Sequence, residues 1–205
     1  MPDRPSVLSP FWRNQLRQWH WISSALCLSG LLLFAVTGFT LNHASQIEAR
    51  PKTTHIEKTL PAADIDGLKT VADKHALPAG LRAAVRALTG ADVGAVPAQV
   101  QDGEIYVDLT TPGVDASVTI EMDGHVTYER TDRGLVALLN DLHKGRHAGP
   151  AWGLFIDLIA LACVVFALTG LGLLWLYEKN RRVTWPLVAL GLLLPFIIFM
   201  IFVHA

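Results

Sequence analysis

Three long apolar runs constrain this chain more than any other feature. Trp21 to Leu41 contains no charged residue, Ala151 to Tyr177 contains only Asp157, and Thr184 to Val203 contains none. A helix crosses the ~30 Å hydrocarbon layer of a bilayer in about 20 residues, so each run is long enough to span. The first run is not a secretory signal, because Asn42, His43 and Ala44 offer no small-x-small cleavage site after it. With 51% hydrophobic and 17% charged residues, and a mean hydropathy of +0.36, the whole chain is too apolar for an ordinary soluble domain.

Charge matters through its position. The net charge of -1 supplies no basic stripe for a phosphate backbone, which excludes nucleic acid as a partner. Basic residues in short flanks are retained in the cytoplasm. Arg4, Arg13 and Arg17 precede the first run, and Lys179, Arg181 and Arg182 separate the last two, so both flanks are expected there. The carboxyl terminus and the long segment after the first helix then lie outside, in the periplasm if the membrane is a bacterial inner membrane. Cys27 and Cys163 both fall inside apolar runs and imply no disulfide framework.

These signals divide the chain into a cytoplasmic segment (1–20), transmembrane helix 1 (21–43), a periplasmic α+β domain (44–134), an amphipathic interfacial segment (135–149), transmembrane helix 2 (150–177), a cytoplasmic turn (178–183) and transmembrane helix 3 (184–205). Within the domain, Asp64 to His75 and, more weakly, Ala79 to Leu88 read as helices. Glu104 to Thr110, Ala116 to Met122 and His125 to Glu129 read as strands, with Asp123-Gly124 a hairpin turn between the last two. Leu135, Leu138, Leu139 and Leu142 then restore helical spacing up to Gly149-Pro150, which suits a surface helix leading into the membrane.

The runs LRQWHWISSALCLSGLLLFAVTGFTLNH, IYVDLTTPGVDASVTIEMDGHVTYE and LNDLHKGRHAGPAWGLFIDLIALACVVFALTGLGLLW resemble the PepSY-associated transmembrane family from about Trp12 to Trp175, most specifically in LNDLHKGRH. The resemblance implies an inserted PepSY-like domain, and kinship with inner-membrane haem proteins implicated in reducing ferric siderophores in the periplasm. Larger relatives carry more helices and more than one such unit.

The histidines carry the chemistry. His43, His143, His147 and His204 are all expected on the outer membrane face, while His20 sits at the cytoplasmic end of helix 1, roughly 34 Å from His43 at 1.5 Å per residue. A b-type haem needs axial ligands from different elements, a slot for the macrocycle and cations near its propionates. Gly38 and Thr37 lie about a turn below His43 and suit the slot, and Lys144 and Arg146 suit the propionates. His43 and His147 are the expected axial pair, because His147 is nearest Gly149-Pro150 and the level where His43 emerges. His143 is then placed to orient a propionate or an incoming chelate, and His204 is the substitute ligand. The plainer reading makes His43 and His204 polar helix caps, and His55, His75 and His125 ordinary surface histidines. Binding of a transition metal without haem is a further alternative, since imidazole also suits copper and zinc.

A short echo links two of the apolar runs: Phe34-Ala35-Val36-Thr37-Gly38 returns as Phe166-Ala167-Leu168-Thr169-Gly170. Small residues of this kind allow close helix approach in any membrane bundle. Alternatively Gly38 lines one haem slot, and Gly170 and Gly172 line a second near His20, whose missing ligand would come from a second protomer or another protein. Asp157, the one acid in a spanning run, is a ligand partner, a proton carrier or an interfacial anchor.

Two functions follow. One is electron transfer through haem from a quinol or a cytoplasmic reductase to a ferric chelate; no glycine-rich nucleotide fingerprint is present, so a nicotinamide or flavin would act through a partner. The other is a non-catalytic anchored domain that binds a peptide, a cell-wall component or a protein. An anchor needs one helix and no histidine cluster, which favours electron transfer.

Overall fold

The computed structural model describes residues 8–177 and 183–203. Helix α1 runs Pro10–Asn42, α5 Gly149–Tyr177 and α6 Thr184–Ile198, the last continuing into a π turn at Phe199–Val203. All three are long and apolar enough to cross a membrane. At 33 residues α1 is about 50 Å long, more than the hydrocarbon requires. It starts at Pro10, not at Trp21, because the FWRNQLRQWH stretch holds no Gly or Pro and continues the helix although it is too polar for lipid. Pro195 removes one N–H from the ladder of α6, and the π turn follows it.

Side-chain hydroxyls inside these helices are satisfied locally, as an apolar solvent demands. Ser23 Oγ donates to Trp19 O (2.6 Å), Ser24 Oγ to His20 O (2.6 Å) and Thr40 Oγ1 to Thr37 O (2.8 Å). No residue of α5 or α6 is fully buried; α5 is half-buried along one side, and nearly all of α6 is exposed, an apolar surface suited to lipid.

The chain divides into two compact units, Met1–Leu31 with Asp157–Ala205, and Leu32–Ile156. The second unit holds a five-stranded antiparallel sheet in the order β1-β5-β4-β3-β2, formed by β1 (Lys52–Thr59), β2 (Gln99–Gln101), β3 (Glu104–Asp108), β4 (Val114–Glu121) and β5 (His125–Asp132). Alternation along the central strands sends one row of side chains inward. Ile105 pairs with Ile120, Val107 with Val118 and Ile120 with Val126, and all five are fully buried. Leu68 of α2 (Ala62–Leu68) and Leu81 and Val85 of α3 (Ala79–Thr89) join this core.

The expected hairpin at Asp123-Gly124 joins β4 to β5, with Asp123 Oδ1 accepting from His125 N at 2.9 Å. Two strands go beyond the sequence reading. In β1 every residue but Ile56 is exposed, so an edge strand written KTTHIEKT carries no buried alternation to read. The three residues of β2 are too short a signal. Helix α2 stops at Leu68, well before His75, where Thr70 Oγ1 takes the carbonyl of Gly67 at 2.6 Å and closes the turn.

Candidate functional site: two threonine-anchored histidine seats

Helix α4 (Gly134–Lys144) determines where the LNDLHKGRH segment points. Residues three apart on a helix share a face. Asn140 and His143 accordingly both meet α1, where their partners Thr37 and Thr40 are likewise three apart. Thr40 Oγ1 lies 3.3 Å from Asn140 Oδ1, and His143 Nδ1 lies 2.8 Å from Thr37 Oγ1. The imidazole stands edge-on to Phe34, with ring centres 5.4 Å apart, and covers Gly38, where an added Cβ would come 3.2 Å from His143 Cε1. The absent side chain of Gly38 therefore makes room for an imidazole, where the sequence reading had a macrocycle.

A buried carboxylate holds α4 in this position. Asp141, 5% exposed, accepts from Arg133 Nη2 at 2.6 Å and from the backbone N–H of Gly113 at 2.9 Å. Arg133 Nε also lies 3.0 Å from Asp115 Oδ2. Gly113 sits in the left-handed region (φ +77°), and an added Cβ would meet Leu138 Cα at 2.9 Å, so only glycine lets the β3–β4 loop approach α4 this closely. Past α4, Trp152 Nε1 donates to Leu142 O at 2.9 Å and ties the start of α5 to the end of α4.

The first unit repeats the arrangement with other residues. His20 Nδ1 lies 3.1 Å from Thr169 Oγ1 and 3.2 Å from Phe166 O. Its ring stacks on Phe166 at 4.8 Å, and an added Cβ on Gly170 would come 3.2 Å from His20 Cε1. Gly172 meets Leu16 instead of His20. Both copies of the Phe-Ala-x-Thr-Gly echo thus serve one purpose. Each seats a single histidine, with Thr beneath Nδ1, Gly beneath Cε1 and Phe against the ring.

The remaining histidines lie elsewhere. His43 Nδ1 donates to Phe39 O at 2.9 Å and its ring lies on Phe39, so the imidazole folds back on the last turn of its own helix. His147 has a positive φ of 54° and is exposed, as are Lys144 and Arg146, and none of the three forms an ion pair with a described residue. The hydroxyl and backbone N–H of Thr110 hold Asp108 below the usual carboxylate range, and the charge of His147 adds to this. Neither His43 nor His147 enters a seat. His204, Arg4, Lys179, Arg181 and Arg182 lie outside the described residues. Asp157 is exposed and bonded to no described side chain, and the described residues contain no cluster of three or more metal-ligating side chains.

Sequence reasoning noted Thr37, Gly38 and the echo but left Asn140 and Asp141 without roles. Their signal was the spacing Asn140-x-x-His143 facing Thr37-x-x-Thr40. No curated protein and no solved structure matches the chain. The model of the PepSY_TM-like family, however, matches residues 11–204, which takes in every spanning helix, the sheet and both histidine seats. The chain therefore belongs to the PepSY_TM-like family, as a membrane-anchored PepSY protein.

Proposed function

We propose that this protein holds b-type haem through its seated histidines and passes electrons to a ferric chelate, such as a ferric siderophore, on the side of the soluble domain. The observation that carries this reading is the repetition of the seat: one imidazole in each unit, anchored at Nδ1, with its second nitrogen not used in that anchor. Imidazole is a regular axial ligand of haem, and a ligand histidine is commonly held by a hydrogen bond at its other nitrogen. The donor chemistry of each seat therefore fits one axial position. Bound haem would supply one-electron chemistry. His143 would hold the group nearest the soluble domain, with Lys144 and Arg146 free to meet its propionates, and His20 would serve a second. With one seated imidazole per unit, a second imidazole for each haem would come from another copy of the chain, which would make the working form a homodimer. Electrons enter from quinol or from a cytoplasmic reductase.

The proposed setting is a bacterial inner membrane, with the amino terminus cytoplasmic and the sheet and carboxyl terminus periplasmic. A reporter fused within Thr53 to Asp132 should be active only in the periplasmic form, and cytoplasmic activity there would reverse the orientation. The haem reading is tested by absorption spectra of the purified full chain, oxidised and then reduced with dithionite. A sharp α-band of low-spin haem is expected, depleted in His143→Ala and in His20→Ala. An unchanged band in His143→Ala with haem lost in His147→Ala would return the ligand role to His147. No haem band at all would leave an anchored binding domain as the better account.

A further inference from the structure

Each seat threonine has one hydroxyl proton, and in both seats that proton is already committed. Thr37 Oγ1 donates to Leu33 O at 2.8 Å, and Thr169 Oγ1 donates to Val165 O at 2.6 Å. Both bonds run back to the carbonyl four residues earlier, the usual satisfaction of a hydroxyl inside an apolar helix. The oxygen that remains can only accept from the imidazole facing it. Nδ1 of His143, 2.8 Å from Thr37 Oγ1, and Nδ1 of His20, 3.1 Å from Thr169 Oγ1, must therefore carry hydrogen. For His20 a second neighbour requires the same, because Phe166 O, 3.2 Å from Nδ1, is a carbonyl and has no proton to give.

A neutral imidazole has one N–H, and if that hydrogen is on Nδ1 the lone pair is on Nε2. We propose that Thr37 and Thr169 are positioning residues that lock His143 and His20 as Nδ1–H tautomers and so present Nε2 as the ligating atom in both seats. The value of this lock for haem rests on the function proposed above; the lock itself does not. Rotation is restrained as well, since Gly38 and Gly170 lie under Cε1 and a phenyl ring lies against each imidazole. A ring flipped about its Cβ–Cγ bond would set a carbon against the threonine oxygen and lose the bond. The two seats share no residue, so each threonine should control its own histidine alone.

The test uses the full chain in detergent, labelled with nitrogen-15 at histidine and free of haem. Nitrogen chemical shifts separate protonated from unprotonated ring nitrogens, and His143→Gln and His20→Gln assign the signals. The wild type should show His143 and His20 with hydrogen on Nδ1 at neutral and mildly alkaline pH. Thr37→Val keeps the shape and removes the oxygen; it should give a tautomer mixture at His143 and leave His20 unchanged, while Thr37→Ser should restore the lock. Thr169→Val should weaken the lock at His20 less, because the carbonyl of Phe166 still accepts from Nδ1, and Thr169→Ser should match the wild type. Hemin titration of the same proteins should show affinity falling about 10- to 100-fold in Thr37→Val, the range for loss of a ligand's supporting hydrogen bond, with recovery in Thr37→Ser. Hydrogen on Nε2 in the wild type would overturn the proposal without any variant being needed, and so would an unchanged tautomer in Thr37→Val. The expected tautomers in a protein that takes up no hemin would support the lock and sink only the haem reading.

Discussion

His55 on the open face of the sheet and His143 against α1 are the same side chain put to opposite uses. His55 Nε2 lies 2.9 Å from Glu57 Oε1, and its Nδ1 lies 3.1 Å from Glu129 Oε1. Both partners accept, so they favour the ring with hydrogen on both nitrogens, the imidazolium, and raise its pKa. His143 instead has an uncharged hydroxyl at one nitrogen. A ring that gives both nitrogens to carboxylates has no lone pair left for a metal. What separates a salt-bridging histidine from a ligand histidine is therefore the chemistry of the neighbour.

The contrast can be broken at its support, at its floor and at its charges. The largest effect is expected from Asp141→Ala, which leaves Arg133 half-paired and the buried N–H of Gly113 without an acceptor. Breaking a buried ion pair costs about 3–5 kcal/mol, but Arg133 keeps a third of its side chain exposed, so about 2–3 kcal/mol is expected here. Hydrogen exchange should rise along α4 and the His143 signals should broaden, while the His55 titration stays in place. Wild-type exchange in α4 would show that the carboxylate does not hold the seat.

Next comes Gly38→Leu, which puts a side chain where an added Cβ already comes 3.2 Å from the His143 ring. Overpacking of this kind costs roughly 1–3 kcal/mol. The imidazole should leave Thr37, and any haem bound there should be lost, with Gly170→Leu doing the same to His20 alone. Retention of the His143 tautomer signal in Gly38→Leu would mean that the glycine is not the floor of the seat.

The smallest effect is at His55. The hydrogen bond that His55 donates to Glu57, followed by the charges of Glu57 and Glu129, raises its pKa above the ordinary 6.5, and the pKa of Glu57 is lowered below 4.5 by the same contact. A raised histidine stabilises most fully below 6.5 and loses that contribution as pH climbs through the folded value; a lowered glutamate stabilises above 4.5 and loses it as pH falls through its folded value. Their pairing is thus at full strength between those limits. Nuclear magnetic resonance should place the His55 midpoint above 6.5, and Glu57→Gln or added salt should lower it. A midpoint that ignores both changes would mean that the carboxylates do not hold the proton.

Much of the architecture was legible because it rests on local pattern. A charge-free run such as Trp21 to Leu41 can be stable in lipid only as a helix, and Asp123-Gly124 between alternating strands can hardly be anything but a hairpin. β1 escaped because an exposed edge strand owes its existence to β5, with which it pairs from Lys52 with Asp132 to Thr59 with His125. Such pairing leaves no period in the strand itself.

The candidate site was legible as a list of residues but not as a set of contacts. The sequence by itself determined the three spanning helices, the inserted α+β domain and the Phe-Ala-x-Thr-Gly echo, because hydrophobicity and turn chemistry act over a few neighbouring residues. Which histidine enters which helix was decided only by the tertiary structure. His143 and His147 are four residues apart and equivalent by spacing, yet α4 ends at Lys144 and His147 follows in a left-handed turn. That leaves His143 on the face that Asp141, Gly113 and Arg133 hold in place, and only a three-dimensional contact between residues more than a hundred positions apart puts its ring on Thr37 and Gly38.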